Sequence, residues 1–245
     1  MATERLVAQM VVRNEADRYL DLVLSRLSEY ADEIVITDDA STDGTVEICK
    51  QYTDLVYVND EHLFSTNEGR LRQTAWDNLE RHAKPRDWIL CIDADEVLWW
   101  TTQPLDHYLY QTKFDILGLL FVNMWDPKNY RVDGYWEPTL CSKLFRFRPG
   151  GKIKDRPLAC GSEPTYVEER LTTKTFMRHT GLVLQHLGYM RDEDKQAKYD
   201  RYMTIDRGKY HNLRHLRSIV GSPMLKPWSQ YQAKEVTHES LHYLS

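Results

Sequence analysis

The chain opens on the pattern of a buried strand. Leu6-Val7-Ala8-Gln9-Met10-Val11-Val12 is apolar at nearly every position, as suits a parallel strand covered on both faces. Asn14 can cap the next segment. There Leu20, Val23, Leu24 and Leu27 recur at three- and four-residue spacing, which predicts a helix with one apolar face. Ile34-Val35-Ile36 predicts a second strand. It stops at the polar turn Thr37 to Thr45, where Thr42 or Asp43 can cap a helix containing Val46, Ile48 and Cys49. Leu55 to Val58 predicts a third strand. Residues 67–82 read as a helix with Leu71, Ala75 and Leu79 on one face. Trp88-Ile89-Leu90-Cys91-Ile92 predicts a fourth strand, ending in Asp93-Ala94-Asp95-Glu96. Alternating strands and helices predict a parallel sheet with helices on both faces. Ligands of such sheets bind beyond the carboxyl ends of the strands. Both acidic clusters, 38–43 and 93–96, lie just past strand ends, so topology alone assigns them to the functional edge.

The second half reads differently. Phe114 to Trp125 and Cys141 to Arg148 predict longer strands in an antiparallel or mixed arrangement, with a turn at Gly150-Gly151. Residues 152–175 are polar and carry little periodic signal. Leu182 to Leu187 predicts another short strand, followed by a charged helix over about 191–206 and a basic, leucine-containing stretch from Arg207 to Arg217.

Composition narrows the classes. With 42% hydrophobic and 28% charged residues, the chain has the make-up of an ordinary globular protein rather than a disordered one. A formal charge of −5 argues against a nucleic-acid partner. No apolar run approaches the ~18 residues of a membrane span. The N-terminus lacks the basic start and apolar run of a secretory signal. Cys49, Cys91, Cys141 and Cys160 form no C-x-x-C pair, which predicts free thiols and a reducing, cytoplasmic compartment. Peripheral contact with the inner face of a membrane would run through Arg207 to Arg217.

The strongest chemical signal is Asp93-Ala94-Asp95 directly after an apolar strand. Two carboxylates one residue apart at a strand end can face one ligand, and hard oxygen donors in that arrangement suit Mg²⁺ or Mn²⁺ holding a diphosphate. Such a metal would offset charge on a departing nucleotide diphosphate. In the 38–45 turn, Asp39 is the better ligand candidate, able to accept a hydrogen bond from a base, whereas Asp43 and Thr45 read as turn-forming.

Taken in order, Arg13-Asn14-Glu15, the 32–45 segment, Asn67-Glu68-Gly69-Arg70 and Asp87-Trp88-Ile89-Leu90-Cys91-Ile92-Asp93-Ala94-Asp95-Glu96 resemble the family 2 glycosyltransferases of GT-A fold. The last string is similar to that of bacterial polysaccharide and lipopolysaccharide-core sugar transferases. The resemblance covers about residues 4–100. It implies an α/β GT-A domain: a nucleotide-sugar-binding half (1–97) with a Rossmann-like, mostly parallel sheet, an acceptor half (98–190) with a smaller mixed sheet, and a helical C-terminal appendage (191–245). It also implies transfer of a sugar from a UDP-, GDP- or dTDP-sugar to a hydroxyl of a glycan, lipid-linked glycan or protein, in cell-surface polysaccharide or glycoconjugate synthesis.

By position, the resemblance implies that Val11 and Arg13 line the base pocket, that Asp39 contacts the base and that Arg70 approaches base or ribose. Asp93 would hold ribose or a metal-bound water, Ala94 would lie against the nucleotide sugar, and Asp95 would ligate Mn²⁺ or Mg²⁺. His186 resembles the histidine that completes such a metal site. An inverting reaction needs a carboxylate base, and the candidates are Glu163, Asp155, Asp133, Glu137 and Glu168, with Glu163 favoured because residues 141–148 followed by Cys160-Gly161-Ser162-Glu163-Pro164 resemble the region where related transferases have a Leu-Phe-Arg strand and then a base-bearing loop. Trp125 and Trp136 are the candidate acceptor contacts. Two other readings stand beside this one: a nucleotidyltransferase, against which Met10 to Glu15 is no Gly-rich basic loop, and a non-catalytic sugar-binding module. His238-Glu239-Ser240-Leu241-His242 matches H-E-x-x-H without apolar helical surroundings, and the calcium-loop-like start at Asp39 meets Lys50 where a carboxylate is required.

Overall fold

The structure is a computed structural model that describes residues 4–100, 103–110, 113–177 and 180–230. His238 to His242 lie outside the described residues. The elements in chain order are β1 (Leu6–Val12), α1 (Leu20–Leu27), β2 (Glu33–Asp38), α2 (Thr45–Cys49), β3 (Val56–Val58), α3 (Glu68–Glu80), β4 (Trp88–Cys91), β5 (Glu96–Trp100), α4 (Leu105–Leu109), β6 (Ile116–Asn123), β7 (Asn129–Arg131), β8 (Thr139–Arg146), α5 (Thr165–Glu168), β9 (Phe176–Met177), β10 (Leu182–His186), α6 (Asp192–Ile205), α7 (Leu213–Ser218) and β11 (Leu225–Pro227).

One sheet runs β3-β2-β1-β4-β8-β6-β10-β5, with β9 beside β6. The strands β3, β2, β1 and β4 are parallel, as the sequence predicts. From β4 onward the sheet becomes mixed: β8 is antiparallel to β4 and β6, β10 is parallel to β6, and β5 is antiparallel to β10. The unbroken apolar run of β1 reflects its position, because successive residues point to opposite faces and both faces are covered. Leu6, Ala8, Met10 and Val12 join the core under α1, with Leu20, Val23, Leu24 and Leu27. Val7 joins the core under α3, with Trp76, Leu79, Ile89 and Phe145. Each such buried Leu or Val contributes roughly 1.5–3 kcal/mol.

Two features depart from the sequence reading. Asp93 to Asp95 form a tight turn, with the Glu96 N–H donating to the Asp93 carbonyl at 3.0 Å, and the chain continues at once into the unpredicted strand β5 at the far edge of the sheet. The C-terminal stretch forms α6 and α7, as expected, but β11 pairs antiparallel with β7 and so belongs structurally to the 98–190 half. Among the described residues, the four cysteines are free, and no helix is long and apolar enough to cross a membrane.

The polar 151–163 segment is fixed by its approach to the first turn of α3. The Glu68 and Gly69 N–H groups donate to the Pro157 and Arg156 carbonyls, each at 3.0 Å, and Glu68 Oε2 accepts from the Ala159 N–H at 2.8 Å. A Cβ at Gly69 would overlap the Lys154 carbonyl and lie 2.8 Å from the Arg156 nitrogen, both of them backbone atoms that cannot swing away. Gly69→Ala is therefore expected to lower stability by about 1–3 kcal/mol, the usual cost of overpacking. Denaturant unfolding checks this, and an unchanged midpoint would show that the segment is not held there.

Candidate active site

Three elements bring their ends together at the carboxyl edge of β4. Asp95 stands in the turn after β4, His186 ends β10, and Lys198 projects from α6. Asp95 Oδ2 lies 3.3 Å from His186 Nε2, and Lys198 Nζ lies 3.0 Å from each of those atoms. The Leu187 N–H donates to the Asp95 carbonyl at 2.7 Å, which ties the turn to the end of β10. His186 Nδ1 is 2.9 Å from Asn123 Oδ1, the acceptor that places the ring proton on Nδ1 and leaves the Nε2 lone pair aimed at the cluster. Burial and the neighbouring Lys198 lower the His186 pKa, which favours this neutral form. Burial alone would raise the Asp95 carboxyl, but Lys198 more than reverses it and holds it well below the ordinary range. Gly188 forms the floor, and a Cβ there would overlap Lys198 Nζ and Asp95 Oδ2.

Glu15 faces the same cluster from the loop after β1. Its Oε1 accepts from Arg18 Nη1 at 3.0 Å, while its Oε2 is buried with no hydrogen-bond partner. Burial raises Glu15 to about 7, and the Asp95 charge adds to the rise against the pull of Arg18. A carboxylate oxygen and an imidazole nitrogen facing one point, with an unpartnered carboxylate oxygen nearby, suit a hard divalent cation. Among the described residues no group of three or more His, Cys, Asp or Glu is placed to hold a metal by itself. Asp95 and His186 are thus the two candidate donors at this point.

Asp93, the other carboxylate of the turn, is held differently. Arg72 Nη1 donates to its Oδ1 at 3.1 Å and Lys143 Nζ to its Oδ2 at 2.9 Å. Lys143 also reaches Glu96 Oε1 at 2.6 Å, and Arg72 reaches Glu68 Oε1 at 3.4 Å. Burial works against the charge on Lys143, but Asp93 and Glu96 outweigh it and raise its pKa well above normal. Asp93 is correspondingly lowered by Lys143 and Arg72 against the effect of burial. The closed network holds the turn rigid and compensates the charge of Asp93, leaving Asp95 as the carboxylate turned to His186.

The nucleotide-side candidates lie along the ends of β1 and β2. Arg13 Nη1 donates to the Asp39 and Ala40 carbonyls, both at 2.5 Å, and half-buried Val11 pairs with Thr37. Asp39 is 1% exposed, and its carboxylate accepts from the Leu63 and Phe64 N–H groups at 2.8 and 3.0 Å. The oxygens expected to face a base therefore hold the 59–64 loop. Arg70 is exposed, 3.7 Å from Glu61. Arg72 is the guanidinium that α3 turns toward the turn, since two residues on a helix differ by about 200°. Ala94 is buried between the two aspartates.

On the acceptor side, Glu163 Oε1 accepts from Ser142 Oγ of β8 at 3.1 Å and its Oε2 from the Ser162 N–H at 3.0 Å. Trp125 and Trp136, expected to touch an acceptor, are core residues instead, 4% and 3% exposed. Their rings lie 5.0 Å apart, both pack on Tyr189, and the Arg131 guanidinium stacks over each. The packing of α7 seals them, so their aromatic faces are consumed in joining that helix to the sheet.

Arg72, Lys143 and Asn123 escape the sequence reading, Glu15 enters it only as part of a motif, and Lys198, which with Lys195 and Tyr199 could approach a diphosphate, reads there as part of a solvated helix face. Each reaches the cluster across the fold, and local spacing carries no sign of that.

Residues 9–99 match the profile of glycosyl transferase family 2. The sheet, parallel through β3-β2-β1-β4 and mixed beyond, fits the parallel half and mixed second half that the sequence predicts. An uncharacterized glycosyltransferase of Rickettsia bellii is 29% identical over 113 residues, which are 46% of this chain and 35% of that protein. An uncharacterized protein of Mycobacterium tuberculosis is 27% identical over 227 residues, covering 82% of this chain and 50% of its own length. An uncharacterized glycosyltransferase of Mycoplasma pneumoniae is 21% identical over 203 residues, 80% of this chain and 62% of that one. The chain thus spans between about a third and two thirds of the relatives it matches. Among solved structures, glucosyl-3-phosphoglycerate synthase from Mycobacterium tuberculosis, in complex with Mg²⁺ and UDP, overlaps 48% of this chain and 44% of its own at TM-score 0.35 and 17% identity.

Proposed function

We propose that this chain transfers a sugar from a nucleotide-diphosphate donor to an acceptor hydroxyl, with inversion at the anomeric carbon. The observation that carries the reading is the Asp95 carboxylate facing His186 Nε2 at 3.3 Å, at the carboxyl edge of the parallel strands, within and beside the family 2 segment. Asp95 and His186 would hold Mn²⁺ or Mg²⁺, and the metal, when bound, supplies charge neutralisation for the diphosphate. Arg72 and Lys143 keep the Asp93–Asp95 turn in place through Asp93. Val11, Arg13 and the 59–64 loop held by Asp39 line the nucleotide side. Arg70 and Ala94 complete it, with Asp93 facing the ribose.

Glu163 is the base. The acceptor oxygen bonds to the anomeric carbon as its proton passes to Glu163. The bond from the anomeric carbon to the diphosphate oxygen breaks, and its electron pair leaves with the nucleoside diphosphate. A glycan, lipid-linked glycan or protein hydroxyl in cell-surface polysaccharide or glycoconjugate synthesis fits a reaction on the cytoplasmic side.

Calorimetry with UDP, GDP and dTDP, each with and without Mn²⁺, tests this reading. One nucleotide is expected to bind, at least about tenfold more tightly with the metal, as expected when a cation bridges carboxylate and diphosphate. Absence of binding by all three, or binding indifferent to Mn²⁺, would overturn it.

A further inference from the structure

Resting on that reading, we propose that Lys198 is the resident counter-cation of the Asp95–His186 pair and, with donor and metal in place, the cation that holds the departing diphosphate. Its ammonium lies 3.0 Å from Asp95 Oδ2 and 3.0 Å from His186 Nε2, over a floor at Gly188 too tight for a Cβ. In the free protein this contact leaves neither the buried carboxylate nor the imidazole lone pair without a partner, which would otherwise be costly.

The helix around it is built for the purpose. Lys195, Lys198 and Arg201 stand three residues apart on α6 and so share a face. Each lies over an aromatic ring: Lys195 over Trp125 at 5.4 Å, Lys198 over Tyr189 at 4.6 Å and Arg201 over Phe64 at 5.7 Å. Phe64 belongs to the loop held by Asp39, whereas Trp125 and Tyr189 belong to the other half. The cationic row therefore runs from the 59–64 loop to the Trp125–Tyr189 cluster of the second half. Its first turn is anchored by Asp194, which accepts from Arg191 Nε at 2.8 Å and forms an ion pair with Arg18 at 3.1 Å.

Two cations cannot share one carboxylate–imidazole pair without mutual repulsion. Lysine carries its charge on a flexible four-carbon stem, so its ammonium can leave the pair while α6 stays in place. A diphosphate bound beyond this strand edge would be the anion it turns to. There Lys198 makes and breaks no covalent bond. It donates hydrogen bonds to the oxygen that takes the electron pair as the anomeric bond breaks, an interaction that strengthens as charge develops.

The two roles move two constants in opposite directions when Lys198 is replaced by Met, which keeps the stem and removes the charge. Binding of MnCl₂ alone, monitored by the electron paramagnetic resonance signal of free Mn²⁺, is expected to tighten about tenfold, because a competing cation is gone. Binding of the nucleoside diphosphate at saturating Mn²⁺ is expected to weaken about tenfold, because a charge-assisted contact is lost. Lys198→Arg should restore most of the nucleotide affinity, and thermal melts should show all three proteins folded. If both constants weaken, Lys198 is only structural. If both tighten, it competes with the metal and never reaches the diphosphate. If neither moves, it does neither. Each of these results overturns the proposal while wild-type nucleotide binding stands, whereas wild-type protein that binds no nucleotide overturns the functional reading itself.

Discussion

Asp95→Ala is expected to abolish the metal dependence of nucleotide binding and to reduce glycosyl transfer by at least about a hundredfold, the scale seen when one charge-stabilising group is removed from a transition state. The reason lies in the division of labour within the turn after β4. Asp93 is neutralised by Arg72 and Lys143 at 3.1 and 2.9 Å, so it cannot take over from Asp95 without breaking that network. Asp95 is the carboxylate turned to His186, and its loss leaves one protein donor where there were two. The fold should survive. The Asp95 carbonyl still accepts the Leu187 N–H, and Lys198 can carry its unpaired charge toward solvent, so the loss of stability should stay near ~1–2 kcal/mol. A thermal melt beside the calorimetry separates the two effects. Mn²⁺-dependent binding at wild-type strength in the folded variant would remove Asp95 from the metal site.

How far the sequence reveals the site depends on which residues are asked about. The parallel half is legible because each signal there is local. A run such as that of β1 is apolar throughout because it is covered on both faces, and the spacing of Leu20, Val23, Leu24 and Leu27 names the buried face of α1. The turn carrying Asp93 and Asp95 is legible for the same reason, since it comes directly after an apolar strand. The short strands β5, β7 and β11 are not, because their pairing lies in backbone hydrogen bonds to distant partners. Neither is the reach of the cations. Arg72, Lys143 and Lys198 come from 21, 50 and 103 residues away to meet Asp93 and Asp95. Trp125 and Trp136 show the converse problem: an aromatic ring suits a sugar face and a core equally well in sequence, and only their burial under α7 decides between the two.

Glu163→Gln is expected to lower kcat by about a hundredfold to ten-thousandfold, the range for losing a general base, with little change in nucleotide affinity. The choice of Glu163 among five carboxylates rests on what holds each one. Asp133 is locked by two hydrogen bonds to Arg131, at 2.7 and 2.8 Å, and Glu168 is paired with Lys154 at 2.6 Å. Asp155 serves to fix Asn67 at 3.0 Å, and Glu137 projects from the exposed surface. Glu163 is positioned by two neutral donors, the Ser142 hydroxyl and the Ser162 N–H, and neither takes up its charge. Its charge is felt at Cys91, where it adds to burial in driving the thiol pKa well up, and Cys91 is the last residue of the strand that leads to Asp93. The first turn of α3, through Glu68 and Gly69, fixes the segment that carries Glu163, so the proposed base and the Asp93–Asp95 turn are held by the same helix. Glutamine preserves the shape and can still accept from Ser142, but it has no carboxylate to receive the acceptor proton. The kinetic signature is therefore a fall in kcat at constant KM for the donor, accompanied by inverted anomeric configuration in the wild-type product by NMR. Wild-type turnover in the variant, or a product of retained configuration, would refute the role of Glu163 and with it the inverting mechanism.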